Sequence, residues 1–247
     1  MKNHSTKRTT ILAVLLSVFL FQQAASKIGK YVANIFDYSL IDSYNVFAWI
    51  SVHHIVQTLL ALVPIIILSK IYNIDFGFRL GDKKTGLKLI RIYTIAMLVY
   101  ITFTSVITYF GNQIVQYDYP LTMTNILGSL GFQLFLTGPS EEILFRALPI
   151  SIFACVISSE KGIKTGKLHI SWPNIIAAIF FALAHIKWTI SPFSVSFEYM
   201  QLLFSLVLGI MYGIVYEKSK SVIYPMIMHS LTNVAVVGAG YILSILK

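Results

Sequence analysis

Two carboxylates and a guanidinium fall within the run Pro139-Ser140-Glu141-Glu142-Ile143-Leu144-Phe145-Arg146, inside an otherwise apolar segment. A charge at the centre of a bilayer costs about 3 kcal/mol on insertion scales. Such charges persist where they pair with one another or line a wet functional cavity. Residues four apart share a helix face, so Glu142 and Arg146 can form an ion pair. Glu141 is turned about 100° from Glu142 at 3.6 residues per turn, and it has no local cation. Pairing keeps Glu142 ionised and structural. It leaves Glu141 as a desolvated carboxylate suited to general-base work. The same residues also fit a charge network that only staples helices together, and from this run alone the two readings weigh equally.

Other polar positions interrupt apolar runs. The stretch Phe181-Ala182-Leu183-Ala184-His185 ends on a lone histidine, which taken singly fits a hydrogen-bonded packing residue. His229 and Asn233 are four apart and point to one side of a helix. Such a pair of donors could stabilise an oxyanion. It fits an interhelical hydrogen bond worth about 0.6 kcal/mol equally well. The adjacent pair His53-His54 is a rival site. Adjacent side chains diverge around a helix, so both cannot enter one pocket, and structural or interfacial roles are expected for them. His4 and His169 fall in predicted soluble segments.

The elements that carry these residues follow from composition. Hydrophobic residues make up 56% of the 247-residue chain and charged residues 12%. A soluble domain carries about 25% charged residues. The chain is therefore an all-α, polytopic bundle of transmembrane helices, because backbone groups in lipid must bond internally. Seven spans are expected. They lie at about Thr10–Ala25, Val46–Tyr72, Leu89–Phe110, within Leu121–Ser158, and at Trp172–Trp188, Tyr199–Tyr216 and Val222–Ile245. The first could also be a cleaved signal peptide, with Ala24-Ala25-Ser26 as the small-residue site. A retained helix is the favoured reading.

The fourth span, at 38 residues, is too long for one plain crossing, since about 20 suffice. Gly138-Pro139 interrupts it, and proline removes a helical hydrogen bond. A broken helix is expected there, with Ser140 capping a new start and both glutamates in its first turn. The alternative is two plain helices with a surface loop. Ser205, Gly209 and Gly213 stand four apart and predict close helix packing. Cys155, the single cysteine, excludes an intrachain disulfide and fits a small packing residue.

Charge gives the orientation. With the N-terminus inside, fourteen Lys and Arg lie in inner segments: before span one, in Lys70–Arg91, in Lys161–Lys167, and at Lys218 and Lys220. The outer segments hold only Lys27, Lys30, Lys187 and Lys247. The positive-inside rule then predicts N-in and C-out. The same asymmetry accounts for the net charge of +9, and nucleic acid has no place as a partner. Membrane lipids are the expected surroundings, and the cell membrane the location in a prokaryote. One integrated membrane domain is expected, with three helices in 1–120 and a core in 121–247.

The polar positions together resemble a known family. EEILFR matches an EExxxR motif, FALAH an FxxxH motif and HSLTN an HxxxN motif, in that order on successive helices. This is similar to the CPBP family of intramembrane proteases, which includes CAAX prenyl endopeptidases and bacteriocin-processing or immunity proteins of the Abi type. The likeness covers about Ile126–Val236. It implies an endopeptidase in which Glu141 activates a water with help from His185, and His229 and Asn233 stabilise the oxyanion. Glu142 and Arg146 would orient the site, with Phe181 in support. A metal-free glutamate mechanism is favoured, so no cofactor is expected. If the enzyme were metal-dependent, Glu141, His185 and His229 would be the zinc set, although no HExxH motif is present. The implied substrate is a peptide or protein, with a lipidated one in view. Ala147 departs from the glycine that many members carry after the arginine, which leaves the substrate open.

Two other classes compete. Broken helices and midplane carboxylates also occur in proton-coupled transporters, but those usually carry internal repeats, and none is evident here. A non-catalytic immunity or scaffold protein could use the same fold, against which the intact Glu141, His185, His229 and Asn233 argue.

Overall fold

The structure, a computed structural model, describes residues 2–166 and 168–247, with only the backbone described for residues 2–7 and 190. Lys167, counted above among the inner cations, lies outside the described residues, as do the side chains of Lys2, His4 and Lys7. Among the described residues, five helices are long and apolar enough to cross a membrane. They are α1 (Lys2–Ala33), α2 (Ala48–Tyr72), α3 (Lys83–Phe110), α8 (Tyr199–Ser219) and α9 (Ile223–Ile245). The crossing stretch of α1 is Arg8–Ala33. The protein is an integral membrane protein.

The expected fourth span is a composite rod. It runs through α4 (Met123–Phe132), a π turn (Gln133–Thr137), α5 (Gly138–Glu142), a second π turn (Ile143–Ala147) and α6 (Leu148–Val156). The break expected at Gly138-Pro139 does not form. Thr137, Gly138's predecessor, and Ile143 both keep right-handed helical angles, and Ser140 does not cap. Proline clashes with the carbonyl four residues back. Pro139 follows the first π turn and Pro149 follows the second, so each proline's clash falls on a turn already wound wider. Gly138 serves close approach: a Cβ there would run into Met226 O and Ser230 Oγ of α9.

The expected fifth span stops early. Helix α7 (Trp172–Leu183) has 12 residues, about 18 Å at 1.5 Å per residue, and begins on a Ser171 side-chain cap to Asn174 N. The chain then turns into a hairpin, β3 (Lys187–Ile190) against β4 (Phe193–Ser196). A second hairpin, β1 (Gly162–Thr165) against β2 (Leu168–Ser171), joins α6 to α7. Cys155 is exposed, and its thiol donates to Ser151 O.

Packing brings the rod to the centre. It touches α2, α7, α8 and α9, while α1 packs on α2 and α6. Helices α7 and α8 approach closely because Gly209 faces Ala178, and a Cβ at Gly213 would overlap the Asn174 side chain. Gln22 of α1 donates through Nε2 to Leu144 O, a carbonyl within the second π turn, at 2.9 Å. The buried core gathers Leu144, Ala147, Leu148 and Phe153 of the rod with Ala61, Ala177 and Val222.

One end of the bundle collects three connections. Val222 N donates to Gly77 O, Asp82 N donates to Ser219 O, and the Tyr224 hydroxyl donates to Leu80 O. A cavity of about 460 Å³ lies there, bordered by Asp75, His169, Glu217 and Lys220. At the opposite end Tyr119 and Tyr241 share a hydroxyl contact, and the Ser244 hydroxyl reaches Val115 O.

Candidate active site

The rod supplies both glutamates about midway along its length. Glu142 is fully buried; its Oε1 lies 3.0 Å from Arg146 Nη1 in an ion pair and is hydrogen-bonded to His229 Nδ1 at 2.7 Å. The guanidinium lies 4.0 Å from the Phe181 ring centroid and 5.5 Å from that of Tyr212. Cation–π contact of this kind steadies a desolvated arginine. Gly209 of α8 makes the room, since a Cβ there would come 3.3 Å from Nη2. The i, i+4 pair read from the sequence is present, and it also fixes a histidine ring.

Glu141 faces another way, as the 100° rotation requires, and its side chain keeps 18% exposure. Its Oε2 lies 3.6 Å from His229 Nε2, and its Oε1 lies 3.9 Å from His54 Nε2. Both gaps exceed a direct hydrogen bond and can be bridged by water. The charges that bear on Glu141 come from His229, His54, His185 and Arg146. His229 thus faces one glutamate from each ring nitrogen.

His229 is held from its far side as well. Its ring stacks on Tyr212 at 5.2 Å and 27°. The Tyr212 hydroxyl joins Tyr93 and Thr232 in a buried hydroxyl cluster. His185 sits in the turn just after α7. Its Nδ1 lies 2.9 Å from Phe181 O, and its ring meets the Phe181 edge at 4.9 Å. Nδ1–H donating to that carbonyl leaves Nε2 for other work. Phe181 thus touches Arg146, His185 and His229.

Asn233 differs from expectation. Its Nδ2 donates to Gln133 Oε1 at 3.0 Å, and the Thr137 hydroxyl donates to the same oxygen. The donor read as oxyanion-facing is engaged by the first π turn. Among the described residues, no group of three or more His, Cys, Asp or Glu is set to hold a metal ion. Glu141, His185 and His229 do not converge as a zinc site would require.

The sequence predicts structural or interfacial roles for His53 and His54; the structure places His54 beside Glu141. The divergence argument holds: His53 stacks on Trp49 at 5.7 Å and 14° and packs over Gly29 of α1. His54 turns the other way, onto Glu141. No signal in the sequence says which face of α2 the rod meets. Ser140, expected as a cap, instead donates to His54 O, and Gln133, in a π turn, accepts from Asn233 without any signal in the sequence.

Fold and site together define a polytopic membrane protein with an acid–imidazole cluster sealed among its helices. Residues 123–235 match the family described as Type II CAAX prenyl endopeptidase Rce1-like. That segment, somewhat under half of the chain, contains the three motifs and supports the resemblance to the CPBP family of intramembrane proteases. No curated protein and no solved structure matches the chain.

Proposed function

We propose that this protein is an intramembrane endopeptidase that hydrolyses a peptide bond by a glutamate-activated water. One observation carries the reading: of two adjacent glutamates, Glu142 is sealed against Arg146 and His229, while Glu141 keeps an exposed edge between two imidazoles. Glu141 takes a proton from water as the oxygen attacks the substrate carbonyl, with His185 assisting. His229 Nε2–H meets the developing oxyanion, and Asn233 joins it once its amide leaves Gln133. The carbon–nitrogen bond then breaks, and Glu141 returns the proton to the leaving amine. Glu142, Arg146 and Phe181 hold His229 in place. The mechanism needs no metal.

The substrate is a peptide or protein met within the membrane. The family's description names CAAX prenyl sequences, and a lipidated chain suits a site between membrane helices. The rod and α7 supply the sixth and seventh crossings in this reading, with residues 1–120 packed around the 121–247 core. The chain runs N-in and C-out. The meeting of the α2–α3 loop, the α8–α9 turn and the border of the β1–β2 hairpin at one end supports this, because those segments carry the basic residues. The Gln22 contact supports a retained α1.

The test compares the membrane proteomes of cells making the wild type and Glu141→Ala. Products that vanish in the variant, with its folded amount unchanged, are the expected outcome. Full retention of cleavage sinks the reading.

A further inference from the structure

His54 belongs to α2, outside the matched segment 123–235 and outside the three motifs. It is nevertheless one of the two imidazoles that flank the Glu141 carboxylate, at 3.9 Å from Oε1. The ring is buried, at 8% side-chain exposure, and packs edge-on against Phe132 and His53. Its Nδ1 is buried without a protein partner. A proton on Nδ1 would leave a donor unmet in an apolar pocket. A proton on Nε2 leaves only a lone pair unmet and aims the N–H at Glu141.

The backbone is tied to the same place. The carbonyl of His54 accepts from the Ser140 hydroxyl at 3.0 Å and from the Thr58 hydroxyl at 2.7 Å. Ser140 directly precedes Glu141. This turn of α2 is therefore fastened to the rod one residue before the carboxylate that the ring faces. If packing were the only demand, an apolar ring would fill the site without burying two polar nitrogens.

We infer that His54 is a positioning residue of this active site: its Nε2–H, through one water, holds the Glu141 carboxylate in the orientation that receives the proton of the hydrolytic water. The inference rests on the peptidase reading above. The other groups facing Glu141 are His229 from α9, His185 after α7, and Arg146 on the rod itself. Of these, His229 is fixed by Glu142 and His185 by Phe181 O. Among the described residues, His54 is the ion contact of Oε1, and His229 that of Oε2.

The experiment uses the full chain in cell membranes, with the cell's own membrane proteins as substrates. Chain termini are mapped for the wild type, Glu141→Ala, His54→Phe and His54→Gln. Products absent in Glu141→Ala define the activity. His54→Phe keeps the ring shape and removes the donor. His54→Gln keeps an N–H at similar reach and removes the ring. Loss of a hydrogen bond to a charged group predicts about ten- to hundred-fold slower product formation in His54→Phe. His54→Gln should stay within about three-fold of the wild type on the same scale. Both variants should be made in wild-type amounts with unchanged thermal unfolding. A packing role predicts the reverse order, with Phe active and Gln impaired, and that result overturns the inference. So does full activity in both, or equal loss in both. If Glu141→Ala leaves every product in place, the peptidase reading fails first and the role of His54 falls with it.

Discussion

His229 Nδ1 and Glu142 Oε1 are 2.7 Å apart, across 87 residues of chain. The glutamate that Arg146 neutralises therefore also sets the ring that reaches Glu141. A pair that reads as a local helix staple is the support of an acid–imidazole cluster. The two adjacent glutamates differ in surroundings: Glu142 is sealed against Arg146 and His229, and Glu141 is partly exposed.

Removing one member of the sealed pair should be costly. Arg146→Ala leaves Glu142 charged and buried, with an expected loss of about 3–5 kcal/mol. Thermal unfolding in detergent will read this as a lower midpoint and a smaller folded yield. The double change Glu142→Leu with Arg146→Met should recover much of that stability, because no unpaired charge remains, and still lack activity because His229 Nδ1 has lost its acceptor.

Close approach of α7 and α8 makes a steric prediction. Gly213→Ala places a methyl on the Asn174 side chain. Overpacking of this kind costs about 1–3 kcal/mol. The variant should unfold earlier than the wild type. Gly166→Ala has no atom near its added Cβ, so only its left-handed backbone (φ 57°) opposes it. Unfolding midpoints that fall equally in both variants would refute the steric account.

A pH effect is expected at the start of α3, outside the membrane. The Thr85 hydroxyl, and then its backbone N–H, hold the Asp82 carboxyl below its ordinary value of 3.8. A lowered folded-state value means that the cap stabilises fully above about 3.8 and is lost as pH falls through the lowered value. Asp82→Asn keeps a capping oxygen without the ionisation. Acid unfolding curves should show a smaller pH dependence for the variant at the lowest pH values; identical curves refute the linkage.

The metal-free mechanism predicts that chelators leave activity intact. Dialysis against a strong zinc chelator, followed by terminal mapping of membrane products, measures this. Loss of the Glu141-dependent products, restored by zinc, would replace the mechanism with one built on Glu141, His185 and His229.

The sequence by itself determined the class of protein and the local geometry of the charged run. Long apolar runs with few charges can only be membrane helices, and this follows from the cost of unpaired backbone groups in lipid. The 3.6-residue period also separated Glu141 from Glu142 and joined Glu142 to Arg146, because both are relations within one turn of helix. Close packing at Gly209 and Gly213 was legible for the same reason. Tertiary structure decided what lies across the gap between helices. Which face of α2 meets the rod depends on the packing of α1, α2, α8 and α9 together, and no local spacing records it. His54 therefore entered the site only in the fold. Gln133 likewise claimed Asn233 through a π turn that shifts the helical register. The winding around Pro139 and Pro149 was hidden for a related reason. A proline in a long apolar segment permits either a break or a widened turn, and only the neighbouring helices choose between them.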